Sequence, residues 1–135
     1  MQELQLSFKC PVYIRWSDLD ALGHVNNAIF LTYFEESRLQ YFTKMGWDWQ
    51  HDGLIVARNE INYRRPLLGD DAPIMSLACT RLGTSSFDIA YKLHTKDGNL
   101  VADGLTTLVC YDYATKTPKA IGEPARTKLI ESQKD

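Results

Sequence analysis

The sequence predicts an α+β domain in which one long helix lies across one face of a five-stranded antiparallel sheet. Three observations carry this. After Asn27, the apolar residues Phe30, Leu31, Phe34, Tyr41, Phe42 and Met45 recur at three- and four-residue spacing, the period of a helix. Five other stretches read as strands, either alternating or nearly continuously apolar. Between the last two of them, Lys96-Asp97-Gly98-Asn99 carries the Asp-Gly signal of a tight hairpin. A single helix among five strands can bury its apolar side only against the sheet.

In chain order, Leu4, Leu6, Phe8, Cys10, Val12, Ile14 and Trp16 alternate with mostly polar residues, which predicts a first strand with one buried face. Pro11 falls on the outward parity and marks an edge or a bulge. A polar loop follows, and Asn26 or Asn27 is the predicted N-cap of the helix, with Gly46 just past its end. The apolar positions Ile29, Phe30, Leu31, Tyr33 and Phe34 cover more than a narrow stripe, which predicts deep wrapping by the sheet. Leu54 to Tyr63 reads as a second strand, with Ile55, Ala57, Ile61 and Tyr63 on one parity and Asn59 interrupting it, as polar residues at bulges do.

Ala72 to Leu82 is the third strand, followed by a Gly83–Ser86 turn. Phe87, Ile89, Tyr91 and Leu93 form the inner face of the fourth. Leu100 to Asp112 is the fifth, apolar enough to be central. Pro118 to Pro124 reads as loop, Pro124 suits the first turn of a short C-terminal helix, and the residues from Ser132 onward read as frayed. No internal repeat or low-complexity tract appears, and residues 1–135 read as one domain.

With 135 residues, 44% hydrophobic and 24% charged, the chain has the make-up of a globular protein with a core of its own. A net charge of −2 leaves no electrostatic footprint for nucleic acid. The three cysteines, Cys10, Cys79 and Cys110, show no paired spacing and fall inside strands, so they read as reduced, buried thiols of a cytoplasmic protein. No signal segment and no spanning apolar run is present. His24, His51 and His94 lack a partner at metal-ligand spacing, so no metal is expected.

The chemistry concentrates where the first strand hands over to the helix. Asp18, Asp20, Gly23, His24, Asn26 and Asn27 lie beside a helix N-terminus, where the first backbone N–H groups lack partners and the helix dipole favours negative charge. A carboxylate beside free amides can carry acyl transfer: the amides polarise a carbonyl while the carboxylate attacks it or activates water. The same residue types also serve simply as turn and capping residues.

The stretch Asp18-Leu19-Asp20-Ala21-Leu22-Gly23-His24-Val25-Asn26-Asn27, with Tyr33-Phe34-Glu35-Glu36-Ser37-Arg38, Asn62-Tyr63-Arg64-Arg65-Pro66-Leu67, Gly69-Asp70 and Ser85-Ser86-Phe87, resembles the 4-hydroxybenzoyl-CoA thioesterase family of the hotdog fold. The likeness runs through most of the chain and fades near Thr115. It implies a curled sheet around a central helix, dimers or tetramers, and hydrolysis of an acyl-CoA thioester without a cofactor beyond the coenzyme A of the substrate. Asp20 matches the family's catalytic aspartate, as nucleophile or general base, and Asn27 the position whose backbone N–H faces the thioester carbonyl. His24 reads as a loop-shaping hydrogen bonder, with direct participation in the reaction as the alternative, and Glu35 as an acidic residue near the site, paired with Arg38. Gly23, Asn26, Arg64, Ser85 and Ser86 are the expected substrate contacts, and Asp18 a brace for the loop.

One departure stands out. Where some relatives carry a basic cluster for the coenzyme A phosphates, this chain has Gly83, Thr84 and Ser85, which leaves that task to backbone and hydroxyl groups or to Arg64, Arg65, Lys116 or Arg126. An acyl carrier protein would bring an acidic surface, to which a net negative chain is poorly matched. Two other readings are a hydratase or dehydratase on the same fold, disfavoured by the loop, and an acyl-binding module without turnover.

Overall fold

The computed structural model describes residues 6–133. Six antiparallel strands and two helices follow one another: β1 (Phe8–Pro11), α1 (Ile29–Met45), β2 (Leu54–Tyr63), β3 (Ile74–Leu82), β4 (Ser86–His94), β5 (Leu100–Asp112), β6 (Thr117–Pro118) and α2 (Ala125–Ser132), with a one-turn 3₁₀ helix at Trp16–Asp18. The main sheet runs β1-β3-β4-β5-β2, and β6 adds a two-residue pairing to the end of β5. The five expected strands are thus joined by a sixth, in a segment read as loop. The predicted C-terminal helix forms directly after Pro124.

The first strand is much shorter than expected. Leu4 lies outside the described residues, and pairing stops at Pro11, opposite Ile74 on the β1 edge. Cys10 and Val12 stay buried, but Trp16 is 90% exposed. Its parity was correct for a strand that has already ended. The Val12 N–H still donates to the Pro73 carbonyl at 2.9 Å, and the chain then turns into the 3₁₀ helix, where the Arg15 N–H donates to Asp18 Oδ2 at 2.9 Å.

In β2 the register slips between Val56 and Arg58. Such a bulge moves every later side chain to the other face. Ile55 pairs with Val109, whereas Ile61 pairs with Gly104 beneath the helix, so the two do not share a face as their spacing implied. Asn59 sits beyond the bulge, opposite the fully buried Thr106, and its Oδ1 accepts that hydroxyl at 2.8 Å.

Helix α1 lies over the sheet with Phe30, Tyr33, Phe34, Tyr41 and Phe42 buried. Phe34 stacks on Tyr91 of β4 at 4.1 Å between ring centroids, and Phe42 meets Phe87 edge-on at 6.1 Å. Leu31 and Leu39 are exposed, so the apolar surface in contact is narrower than the composition of the first turns suggested. The helix starts after Ala28, which has no side-chain cap. Asn26 instead accepts the Ala28 N–H at 3.0 Å, in a turn ahead of the helix, so neither asparagine is the N-cap. Gly46 ends the helix at φ 72°, the left-handed conformation that lacks a penalty only for glycine. Among the described residues no helix is long and apolar enough to cross a membrane.

Candidate active site

The loop before α1 is a small hairpin. Leu19 bridges Val25, Asp20 N–H donates to the His24 carbonyl at 2.8 Å, and Asn26 N–H donates to the Asp18 carbonyl at 2.9 Å. Gly23 turns the chain at φ +78°, a conformation that costs L residues energy. The hairpin docks on the segment after β2: Val25 N–H donates to the Leu67 carbonyl at 2.8 Å, and His24 bridges Leu68.

This docking brings residues from three parts of the chain around one cleft of about 450 Å³. Asp20, His24, Asn27, Phe30, Tyr63 and the stretch from Arg64 to Leu67 line it. Asp20 is exposed; its Oδ1 accepts the N–H groups of Leu22 (2.9 Å) and His24 (3.1 Å), while its Oδ2 has no partner among the described residues. The Asn27 carbonyl accepts the Tyr63 hydroxyl at 2.8 Å, and the Asn27 N–H is without a partner among the described residues. One free carboxylate oxygen and one free amide thus border the same cleft, at the end of α1 where the dipole is positive.

Of the expected site residues, Asp20, His24, Asn27 and Arg64 meet here. The Arg64 guanidinium, though, is bound by Asp103 through two hydrogen bonds, at 2.9 and 3.2 Å, with Asn62 on the same carboxylate. Burial alone would raise the Asp103 pKa; the bonds from Arg64 and Asn62 outweigh it and hold the carboxyl below its ordinary value. Gly23 and Asn26 shape the loop from outside the cleft lining. Glu35 is exposed on α1, 3.8 Å from Arg38, the expected pairing.

Ser85 and Ser86 lie elsewhere in this chain. Arg64 and Arg65 donate to the Val101 carbonyl, whereas Ser85 accepts the Cys110 N–H. Those two β5 residues are nine positions apart, about 30 Å along a strand. Two arginines border that distant turn. Arg126 donates to the Gly83 carbonyl at 2.6 Å, and Arg81 to Ser86 Oγ at 3.0 Å.

The sequence placed Tyr63 only on a strand face and Arg65 only among several candidate phosphate contacts. Tyr63 holds Asn27, and Arg65 lines the cleft with a side chain that has no partner among the described residues. Asp18 is the brace it was expected to be, buried and bonded to Tyr33 at 2.6 Å. The three cysteines are free and buried. Burial raises each thiol, that of Cys79 to about 11, which removes the thiolate a cysteine nucleophile needs.

Comparison with known proteins places the chain in a family. Residues 14–129 match the thioesterase-like superfamily. The chain belongs to that superfamily and is a thioester hydrolase of the hotdog fold. It is 32% identical to the long-chain acyl-CoA thioesterase FadM of Escherichia coli, over 87% of this chain and 93% of that one. To the 1,4-dihydroxy-2-naphthoyl-CoA hydrolase of Thermosynechococcus vestitus it is 28% identical, over 82% and 80%. The crystal structure of a Thermus thermophilus thioesterase complexed with coenzyme A and Zn superimposes with a TM-score of 0.86 at 33% identity, covering 99% of this chain and 98% of that one.

Proposed function

We propose that the protein hydrolyses acyl-CoA thioesters to the free acid and coenzyme A, with Asp20 as the reacting carboxylate. The observation that carries this is the pairing of a free Asp20 oxygen with the free Asn27 N–H across one cleft. In the reading, the thioester carbonyl oxygen accepts the Asn27 N–H as negative charge develops on it. Asp20 either attacks the carbonyl carbon, expelling the thiolate and leaving a mixed anhydride for water, or takes a proton from the attacking water. His24 holds the Asp20 carboxylate through its backbone N–H. Gly23 and Asn26 set the loop, and no cofactor is needed.

With Arg64 already held by Asp103, Arg65 is the cation in the cleft still available to the substrate's phosphates. Glu35, Ser85 and Ser86 enter through an assembly. The edge strand β2 is ten residues long and exposes Ile55, Val56 and Tyr63. An unpaired edge of that kind is a pairing surface, and a homodimer or homotetramer is part of the proposal. Reduced, buried thiols suit a cytoplasmic setting.

The test is thiol release from a panel of aliphatic and aromatic acyl-CoAs by wild type and Asp20→Asn, with folding checked by circular dichroism. Turnover by wild type that collapses in the folded variant supports the reading, and the panel ranks the acyl groups. A folded wild type that binds acyl-CoA without hydrolysing it would make this an acyl-binding module. Single turnover in ¹⁸O-water separates the two roles: label enters Asp20 only if it is the nucleophile.

A further inference from the structure

Asp18 is a buried carboxylate, 4% exposed, that the proposed reaction does not use. Its Oδ2 accepts the Tyr33 hydroxyl at 2.6 Å and the Arg15 N–H at 2.9 Å. Tyr33 is fully buried on α1. One helical turn further on, Glu36 forms an ion pair with the Arg15 guanidinium, which itself lies 3.8 Å from Asp18. The segment before the loop is therefore fastened to one face of α1 at two successive turns.

The backbone of Asp18 closes the base of the hairpin, its carbonyl accepting the Asn26 N–H at 2.9 Å. Asp18 thus stands two residues from Asp20 along the chain and, through that bond, one residue from Asn27. Any rotation of Asp18 moves the reacting carboxylate and the amide donor relative to each other.

We propose that Asp18 and Tyr33 form a clamp that sets the spacing between the Asp20 carboxylate and the Asn27 N–H. They are positioning residues, acting through the loop and touching no substrate. The proposal rests on the acyl-transfer reading of the cleft. Burial first, and the Asp18 hydrogen bond next, hold the Tyr33 phenol above its ordinary pKa, so it remains a donor at neutral pH. Misplacement of a reacting group by a fraction of an ångström is felt in the transition state far more than in substrate binding.

The test uses Tyr33→Phe, which keeps the ring and removes only the hydroxyl, and Asp18→Asn, which keeps the shape. Two readouts are taken on the whole protein: kcat and KM on the best substrate of the panel, and amide hydrogen exchange across residues 18–27. In Tyr33→Phe, kcat is expected to fall roughly 10- to 100-fold with KM within about twofold, and the His24 and Asn26 amides to exchange about tenfold faster or more. The double variant is expected to lose no more than the worse single one, because both break the same contact. A folded Tyr33→Phe with wild-type kcat overturns the clamp, as does a fall in kcat that disappears once the rate is divided by the folded fraction read by circular dichroism. If wild type hydrolyses nothing, the thioesterase reading falls by itself and exchange decides: unchanged loop amides overturn the clamp, and faster ones uphold it.

Discussion

Helix α1 has a concavity at each end, and the two differ in what their polar groups have left to give. At the C-terminal end, Phe8, Tyr41, Lys44, Met45, Lys128 and Ser132 line a cleft of about 200 Å³, smaller and better enclosed than the one beside Asp20. The Tyr41, Ser132 and Lys128 groups are engaged, while Lys44 and Glu131 stand exposed at its rim. Tyr41 and Ser132 share a bond of 2.6 Å, the Tyr41 hydroxyl also accepts the Cys79 N–H at 3.1 Å, and Lys128 donates to the Gly46 carbonyl at 2.6 Å. That last contact answers the negative end of the dipole and a carbonyl the helix leaves unpaired. At the N-terminal end, a carboxylate oxygen and an amide border the cleft without partners among the described residues. Concavity is common to both ends; a carboxylate oxygen and a backbone amide left free together at a helix N-terminus belong to one.

The largest expected effect tests that difference directly. Asp20→Asn keeps shape and local hydrogen bonds but removes the charge, and kcat is expected to fall by about 10²- to 10⁴-fold, the scale of acid–base and nucleophilic groups. At the other end, Lys128→Met is expected to leave kcat within about twofold. Steady-state kinetics on both variants decides it, and a comparable loss from Lys128→Met would erase the contrast.

The middle of the helix joins the ends. A Cβ at Gly104 would lie 2.6 Å from Cε2 and 2.8 Å from Cζ of Phe34, and would also meet the Glu60 carbonyl. Phe34 cannot retreat, being stacked on Tyr91. Gly104→Ala is therefore expected to destabilise by about 3 kcal/mol through overpacking, read as a melting temperature lower by roughly 10 °C. If kcat also falls at a temperature where the variant is folded, α1 transmits the shift to Asn27. If stability is unchanged, the packing of Phe34 is looser than described.

What the sequence disclosed, and what it hid, follows the same division between local and distant contacts. Asp20, His24 and Asn27 were legible because the loop that presents them is contiguous and sits at a helix start. The spans of β2 and β5 were legible because alternation and apolar runs record burial. Alternation does not record pairing, however, and so it carried Trp16 into a strand that ends at Pro11. A one-residue slip also leaves composition unchanged, which is why the bulge near Ala57 and the outward turn of Ile55 were hidden. Tyr63 reaches the Asn27 carbonyl across 36 positions, a contact that only the folded sheet creates. Its sole trace was the likeness of Asn62–Leu67 to the family.

A smaller effect is expected from Tyr41→Phe, at the C-terminal end of α1. The Cys79 N–H loses its hydroxyl partner on a buried stretch of β3, at a cost of about 1–2 kcal/mol. Urea unfolding should register this while kcat stays at the wild-type value. A drop in kcat without a drop in stability would mean that the two ends are coupled more tightly than their separate hydrogen bonds imply.

The smallest effect comes from a carboxylate at neither end, one whose bonding capacity is spent. Asp88 on β4 accepts Arg81 at 2.8 and 3.1 Å and the Thr107 hydroxyl at 2.7 Å. Burial would raise its pKa, but these contacts outweigh burial and the net value lies below the ordinary 3.8. A depressed carboxylate stabilises the fold fully above its unfolded pKa and loses that contribution as pH falls through the folded value. Arg81 is half exposed, so solvent screening limits the pair to roughly 0.5–1 kcal/mol. Asp88→Asn should therefore be less stable than wild type by that amount at pH 7, with the gap closing as pH drops below 3.8. Urea titrations at pH 7 and at acid pH measure it. A gap that persists unchanged in acid would assign the loss to altered hydrogen bonding, leaving Asp88 without the charge contribution that sets it apart from the free carboxylate of Asp20.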